Sequence, residues 1–377
     1  MVIQKGLDQV YVKESKICLV DGEGSRLFYR GYSIDELAAY STFEETAYLL
    51  IFGKLPSKTQ LKDFVRKIEG YRTLDLGILQ LIRSLPLSCN PMDALRTMIS
   101  ALGAYDPEPV TTSMEARIDK SLQILAKTPT IIAAFERLRN HKEPISPKPG
   151  LSHAADFMYM LTGNVPDPYE VHVMDVALIL HAEHEMNAST FSCTVTASTL
   201  SDMYSIVTSG ICTLRGPLHG GANEAALRMV MEVDDPSKAE AYVSQALAER
   251  KRIMGFGHRV YKTWDPRYRI LKKIGADLAE RKGEKRLYET AVAIENSALR
   301  HLAGSPIFPN VDSYSGIVFH ILGIPTDQFT SIFAMSRISG WVAHSIEYLE
   351  SNRLIRPKAL YMGQTDLPYV PIEQRPA

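Results

Sequence analysis

The sequence is short of the features that announce several common protein classes. It has only four cysteines in 377 residues (Cys18, Cys89, Cys193 and Cys212), scattered and with no C-x-x-C pair. That argues against a disulfide framework or a spaced zinc site and fits a reducing compartment. Neither sign of charge is in excess, since Lys+Arg at 42 against Asp+Glu at 43 leaves a formal net charge of -1. Proteins that neutralise a run of phosphates carry a basic surplus, so no nucleic-acid partner is expected. Long apolar runs are missing too. The greasiest stretch, VMDVALIL at 173–180, is short and contains Asp175, whereas a membrane helix needs about 20 apolar residues. The opening MVIQKGLDQVYVKESK is broken by charges and lacks the apolar centre of a secretory signal. These absences lead to the expectation of a cytoplasmic protein with no membrane association. Strands alternating with helices, the mark of a parallel sheet, are also absent.

What is present reads as helix almost throughout. Hydrophobic residues at 45% and charged residues at 23% are ordinary for a globular chain, and the length suits two domains. ICLV (17–20) and LFYR (27–30) flank DGEG, which predicts a small hairpin. Ser33 with Glu36 and Ser57 with Gln60 fit capping boxes. Phe43, Ala47, Leu50 and Ile51 fall on one helical face, which Gly53 and Pro56 bring to an end. Further helical blocks cover 91–105, 121–140 and 153–163, and EPISPKPG at 143–150 reads as a loop within a domain. Glycines and prolines cluster at both edges of a more charged block, about 220 to 318, the expected second domain. The fold class is therefore all-α.

Four of the ten histidines stand in unusual contexts. LILHAEHEMNAST sets His181 and His184 three apart, on one helical face. That spacing suits a metal pair, substrate contacts, or a buried hydrogen-bonded histidine at the end of an apolar helix. No H-E-x-x-H and no spaced carboxylates accompany it, so no metal site is assigned. A metal-dependent helical hydrolase would be the function from that alternative.

RGPLHGGANEAALRMV (215–230) holds His219 just before a helix expected near Ala222. The positive end of a helix disfavours imidazolium. A neutral imidazole can polarise a carbonyl as it becomes an enol, as it does in triosephosphate isomerase. The plainer alternative is a glycine-rich turn whose histidine caps the helix. KRIMGFGHRVYKTWDPR (251–267) surrounds His258 with Gly255, Gly257, Arg259, Lys262 and Arg267. It is no nucleotide-triphosphate loop, but its cations and backbone amides would suit a phosphate-bearing ligand, or form a solvated basic turn. Asp312 in FPNVDSYSGIVFH stands before an apolar helix, where Asp is a favoured N-cap. FAMSRISGWVAH buries Arg337 in an apolar helix. An unpaired charge there costs several kcal/mol, so it calls for a structural or a substrate carboxylate. NRLIRPKALYMG adds Arg353 and Arg356.

Taken in order, GPLHGGAN, GFGHRVYKTWDPR, PNVDSYSG and SRISGW resemble the citrate synthase family, and LFYRGYSIDELA with FEETAYLLIFGKLP resembles its N-terminal region. The likeness spans nearly the whole chain and is similar to the short archaeal and bacterial dimeric form. Asn90 departs from relatives that often have histidine before Pro-Met. The resemblance implies a large helical domain (1–219 and 319–377) bearing the dimer interface, and a small domain (220–318) that binds CoA and closes over substrate. It implies condensation of acetyl-CoA with oxaloacetate to citrate, at the entry to the tricarboxylic acid cycle, with no cofactor beyond the CoA thioester substrate. 2-Methylcitrate synthase, using propionyl-CoA, is the family alternative. His219, His258 and Asp312 would be catalytic. His184, Arg267, Arg337 and Arg356 would bind oxaloacetate, Arg356 coming from the partner of a homodimer. Lys251, Arg252, Ile253, Met254, Gly255 and Lys262 would hold CoA.

Overall fold

The protein's structure, a computed structural model, describes residues 3–7 and 9–376. The expected hairpin is there and carries one more strand. Strands β1 (Cys18–Asp21), β2 (Arg26–Tyr29) and β3 (Tyr32–Ser33) form an antiparallel sheet in sequence order. Cys18 faces Tyr29 and Phe28 faces Ser33 in its register. From Ile34 to Glu350 the regular elements of the described chain are all helices, with one isolated bridge between Phe256 and Pro309.

Helices α1 (Ile34–Tyr40), α2 (Phe43–Phe52), α3 (Lys58–Tyr71) and α4 (Leu76–Ser84) follow. The Ser57–Gln60 box opens α3 as its spacing predicts, with both reciprocal bonds made. Ser33 caps α1 through the Asp35 amide alone, so that cap is single rather than a box. Next come α5 (Pro91–Tyr105), α6 (Met114–Arg139), α7 (His153–Thr162), α8 (Pro168–His181), α9 (Ala188–Ser198) and α10 (Met203–Leu214). Asn90 is the N-cap of α5, its side chain accepting the Met92 amide, a helix-start role that asparagine fills well.

The remaining helices are α11 (Ala222–Val233), α12 (Ala239–Ala248), α13 (Pro266–Lys282), α14 (Lys285–His301), α15 (Asp312–Ile321) and α16 (Phe329–Glu350). Helix α16 is apolar on every side and buried along most of its length, as a helix at the centre of a helical protein must be. It packs against α2, α6, α8, α9 and α10. Helices α11 to α15 pack chiefly on one another, with α11 and α13 both against α15 and α12 against α14. Helix α13 also reaches α1 and α8, and α11 reaches α16. After α16 the described chain runs extended and exposed to Arg375, apart from one short turn at Ile372–Gln374. No helix among the described residues is long and apolar enough to cross a membrane.

One buried ion pair fastens this arrangement. Arg72, at the end of α3, reaches Asp156 of α7 at 3.0 Å and the Leu151 carbonyl at 2.8 Å. Both side chains are 1% exposed, and the other Asp156 oxygen accepts the Lys148 amide at 2.8 Å. Removing one partner of such a pair strands a buried charge, at about 3–5 kcal/mol. Asp156→Asn is therefore expected to lower unfolding free energy on that scale in urea melts. An unchanged midpoint would mean that water reaches Arg72.

Candidate active site

Helix α8 has no polar side to stop it before the HAEHEMN segment, and it ends at His181 with Ala182 as its C-cap. His184 therefore lies beyond the helix, not on one face with His181 as the spacing suggests. The change of direction is carried by the following turn, where Glu185 has φ 55°. The two rings part accordingly. His181 Nδ1 bonds the Ala177 carbonyl at 2.7 Å, and its ring packs on Phe319 and Phe333. The His184 ring meets His258 edge-on at 5.1 Å and Tyr261 at 5.6 Å. Burial and the Arg267 charge hold His184 well below the ordinary histidine range. Among the described residues no three His, Cys, Asp or Glu side chains gather as metal ligands would.

His219 sits in the turn ahead of α11, which begins at Ala222 as expected, and its amide closes that turn on the Gly216 carbonyl at 2.9 Å. Its Nε2 accepts the Ser189 amide at 3.3 Å and stands 2.8 Å from the Ser189 hydroxyl. The amide donating to Nε2 suits a neutral ring with its proton on Nδ1, and the Ser189 hydroxyl then has Nε2 and Asn187 Oδ1, at 2.7 Å, as the two acceptors for its one hydrogen. Burial, then the Arg337 charge, lowers His219 to about 4. Ser189 is itself held by Asn187, the N-cap of α9, and by the Trp341 indole N–H at 3.1 Å. No sequence signal joins Ser189, Asn187 or Trp341 to His219. The first two lie some thirty residues away and Trp341 on another helix, so they went unnoticed.

His258 is oriented by its own loop. Its Nδ1 accepts the Val260 amide at 3.0 Å and the Tyr261 amide at 3.1 Å. Two donors on Nδ1 leave the proton on Nε2. Burial and Arg267 bring this ring down to about 4 as well.

Asp312 arrives through a pairing of two loops. The Gly257 amide bonds the Phe308 carbonyl at 2.8 Å, and the Asn310 amide bonds the Gly255 carbonyl at 2.9 Å. The Asn310 side chain adds a bond to the Gly257 carbonyl at 2.7 Å. The GFGH and FPNVD segments thus lie together. Asp312 is the first residue of α15, with Val311 at the N-cap, and the Asp312 amide donates to Asn310 Oδ1 at 2.9 Å. Its carboxyl is not spent on the helix end. Burial raises it to about 6, against the pull of Arg267 and Arg337. Helices α11 and α15 touch near their starts. A Cβ on Gly316 would stand 2.6 Å from the Asn223 carbonyl oxygen, so His219 and Asp312 each lie about a turn away from that contact.

Two guanidinium groups complete the cluster. Arg267, in the first turn of α13, makes a two-point pair with Asp265 at 3.0 and 2.7 Å. Asp265 also takes the Val311 amide at 3.1 Å, tying the starts of α13 and α15. Glu295 of α14 ties them again, receiving the hydroxyls of Tyr268 and Tyr314 and, at 2.8 Å, the Lys272 ammonium. Arg337 is 2% exposed, gives its Nε–H to the His181 carbonyl at 2.7 Å, and lies over the Phe333 ring at 4.6 Å. No carboxylate among the described residues pairs with it. It is a buried cation with no ion pair, on which the buried Glu183 carboxyl acts without a direct bond, and its guanidinium has room for an anionic partner.

The other residues singled out from the sequence are less gathered. Lys251 pairs with Glu249 at 2.7 Å, Arg252 is exposed, Ile253 is buried and Met254 half-buried. The Gly255 carbonyl belongs to the loop pairing, and Lys262 is exposed with its ammonium on the Arg259 carbonyl at 3.1 Å. Arg356 lies on the exposed segment after α16, and in this chain it joins no cluster.

Comparison with known proteins bears on the arrangement. The family described as "Citrate synthase, C-terminal domain" matches residues 6–358. A citrate synthase of Synechocystis sp. is 44% identical over 99% of this chain and 94% of that protein. A 2-methylcitrate synthase of Corynebacterium glutamicum is 40% identical over 99% of this chain and 98% of that protein. The solved citrate synthase of Thermoplasma acidophilum, a ternary complex with carboxymethyl coenzyme A and oxaloacetate, superposes with a TM-score of 0.94 at 36% identity, covering 99% of this chain and all of that one. By matched residues, full-length identity and shared fold, the chain belongs to the citrate synthase family.

Proposed function

We propose that the cluster condenses acetyl-CoA with oxaloacetate, with Asp312 as base and His219 and His258 as uncharged donors. The observation that carries this is the state of the two imidazoles. Each accepts backbone N–H groups at one nitrogen and so presents N–H at the other. Asp312 takes a proton from the acetyl methyl group, and the electron pair moves through the new C=C bond onto the thioester oxygen. The Nδ1–H of His219 steadies that oxygen, and one preorganised donor of this kind is worth about 3–4 kcal/mol. The enol carbon then attacks the keto carbon of oxaloacetate, whose oxygen is steadied by the Nε2–H of His258 as negative charge develops on it and ends with the proton that Asp312 had taken. Water cleaves the resulting citryl thioester and frees CoA.

Oxaloacetate is a dianion, and guanidinium forks match carboxylates in geometry and charge. The unpaired charge of Arg337 and the free side of Arg267 suit one carboxylate each, with His184 beside them. The 251–255 segment and Lys262 would hold CoA. Helices α11–α15 would act as the small domain, closing to exclude water until condensation is complete. The required chemistry needs no metal or further cofactor. We also assign the dimer and the contribution of Arg356 across it as proposals. They are supported by the exposed C-terminal segment and its exposed Leu354, Tyr361, Met362, Leu367 and Tyr369.

Three outcomes test this reading. Catalysis needs Asp312 ionised, and its burial sets the titration near 6, while both histidines at about 4 stay neutral. Activity is therefore expected to fall with one proton as pH drops through about 6. Asp312→Asn should lower kcat by about 10²–10⁴-fold without changing the fold. A rate flat down to pH 4.5 would assign the base elsewhere.

The kinship with 2-methylcitrate synthases makes propionyl-CoA the competing substrate, and one methylene is worth only about 1–3 kcal/mol. Thiol release with both acyl-CoAs should give the higher kcat/KM for acetyl-CoA, and the reverse order would make the chain a 2-methylcitrate synthase.

Mixing inactive Arg356→Ala and Asp312→Asn proteins under subunit exchange should restore activity, since hybrids then hold one intact site. No recovery despite exchange would mean that Arg356 acts within its own chain.

A further inference from the structure

The hairpin foreseen at 17–30 takes no part in the chemistry above, yet its tip lies on the loop that carries His258. Asp21 braces the tip, accepting the Gly24 amide at 2.7 Å and pairing with Arg26 at 2.6 Å. The Gly22 carbonyl then accepts the Lys262 amide at 3.1 Å, and the hydroxyls of Ser25 and Thr263 bond each other. Among the described residues, that Lys262 bond is the only main-chain link from 258–263 to another part of the chain. The approach is close enough to need a glycine. A Cβ at Gly22 would stand 2.3 Å from the Val260 carbonyl oxygen. Val260 and Tyr261 are the residues whose amides occupy His258 Nδ1.

We propose that the hairpin tip, residues 21–25, is a positioning element for His258. By holding the 258–263 turn in shape it keeps two amides on Nδ1 and so aims the Nε2 proton at the substrate's ketone. A histidine donor is fixed in tautomer and direction by whatever occupies its other nitrogen. Here the occupants belong to a turn with no helix or strand of its own. The hairpin supplies the missing rigidity from far away in sequence, Ser25 and Thr263 being 238 residues apart. The tip makes no contact with substrate in this account. It acts through the turn. The proposal rests on the role given to His258 above.

A donor that polarises a ketone weakens its C=O bond, and this can be read apart from turnover. The probe is oxaloacetate carrying ¹³C at the keto carbon, bound to the whole enzyme, with the keto stretch recorded by difference infrared spectroscopy. Gly22→Ala is expected to return the stretch toward its value in water. It should also lower kcat by roughly 10–100-fold, the scale of an about 1 Å misplacement of a reacting group, and leave the KM for acetyl-CoA little changed. The double variant Ser25→Ala/Thr263→Val, which removes the tie without adding bulk, should shift both in the same direction by less. It decides the matter alone should Gly22→Ala fail to fold. A keto stretch identical to wild type in the folded variants overturns the proposal, whatever happens to kcat. His258→Gln separates the two levels. If it moves the stretch and the hairpin variants do not, only the hairpin's role falls. If it leaves the stretch in place, the role of His258 falls with it.

Discussion

Two positive charges kept out of water govern the site. Arg267 has Asp265 as its ion-pair partner, whereas Arg337 bonds a carbonyl, lies on an aromatic face, and feels the Glu183 charge without a direct bond. Their fields reach His184, His219, His258 and Asp312. Each imidazole is thereby discouraged from taking a second proton, in the same sense as its burial. Asp312 feels the opposite. Burial raises its carboxyl, the guanidinium charges oppose that rise, and the balance at about 6 leaves it mostly ionised at neutral pH. This pair of cations therefore disfavours a second proton on the imidazoles and draws the Asp312 carboxyl down, and in the proposed reading a dianionic substrate would supply the ion pair that Arg337 lacks.

The backbone does the rest of the tuning. Neither His219 nor His258 relies on a carboxylate to fix its tautomer. Main-chain N–H groups do it, from the start of α9 in one case and from a tight turn in the other. A carboxylate partner would favour imidazolium, whereas an amide partner favours the neutral ring. The choice of partner is thus consistent with donors that have to begin the reaction uncharged.

Much of this was legible in the sequence, though unevenly. The hairpin, the Ser57–Gln60 box, the helical blocks and the start of α11 follow from turn residues and 3.6-residue periodicity, which are local. Arg337 could be picked out because a charge inside an apolar helix has few explanations. The spacing of His181 and His184 misled, because the end of α8 is set by tertiary packing of the HAEHEMN turn, and nothing local marks it. Asp312 looked like an N-cap by residue type, but Val311 holds that position and the carboxyl is left for chemistry. The partners of His219, the Asp265 and Glu295 ties, and the contact of the hairpin with the His258 turn were invisible. Each joins segments far apart in the chain, and a single sequence carries no trace of which distant residues will touch.

The double tie between α13 and α15, through Asp265 and through Glu295, has a geometric consequence. Arg267 and Asp312 are bolted to one rigid wedge of helices, and the loop pairing fastens His258's segment to the same wedge. Arg337 and His184 stand outside that wedge, on α16 and beyond the end of α8. The spacing between Arg267 and Asp312 is therefore held by bonds within the wedge alone, and loss of either tie would displace the guanidinium and the carboxyl relative to each other.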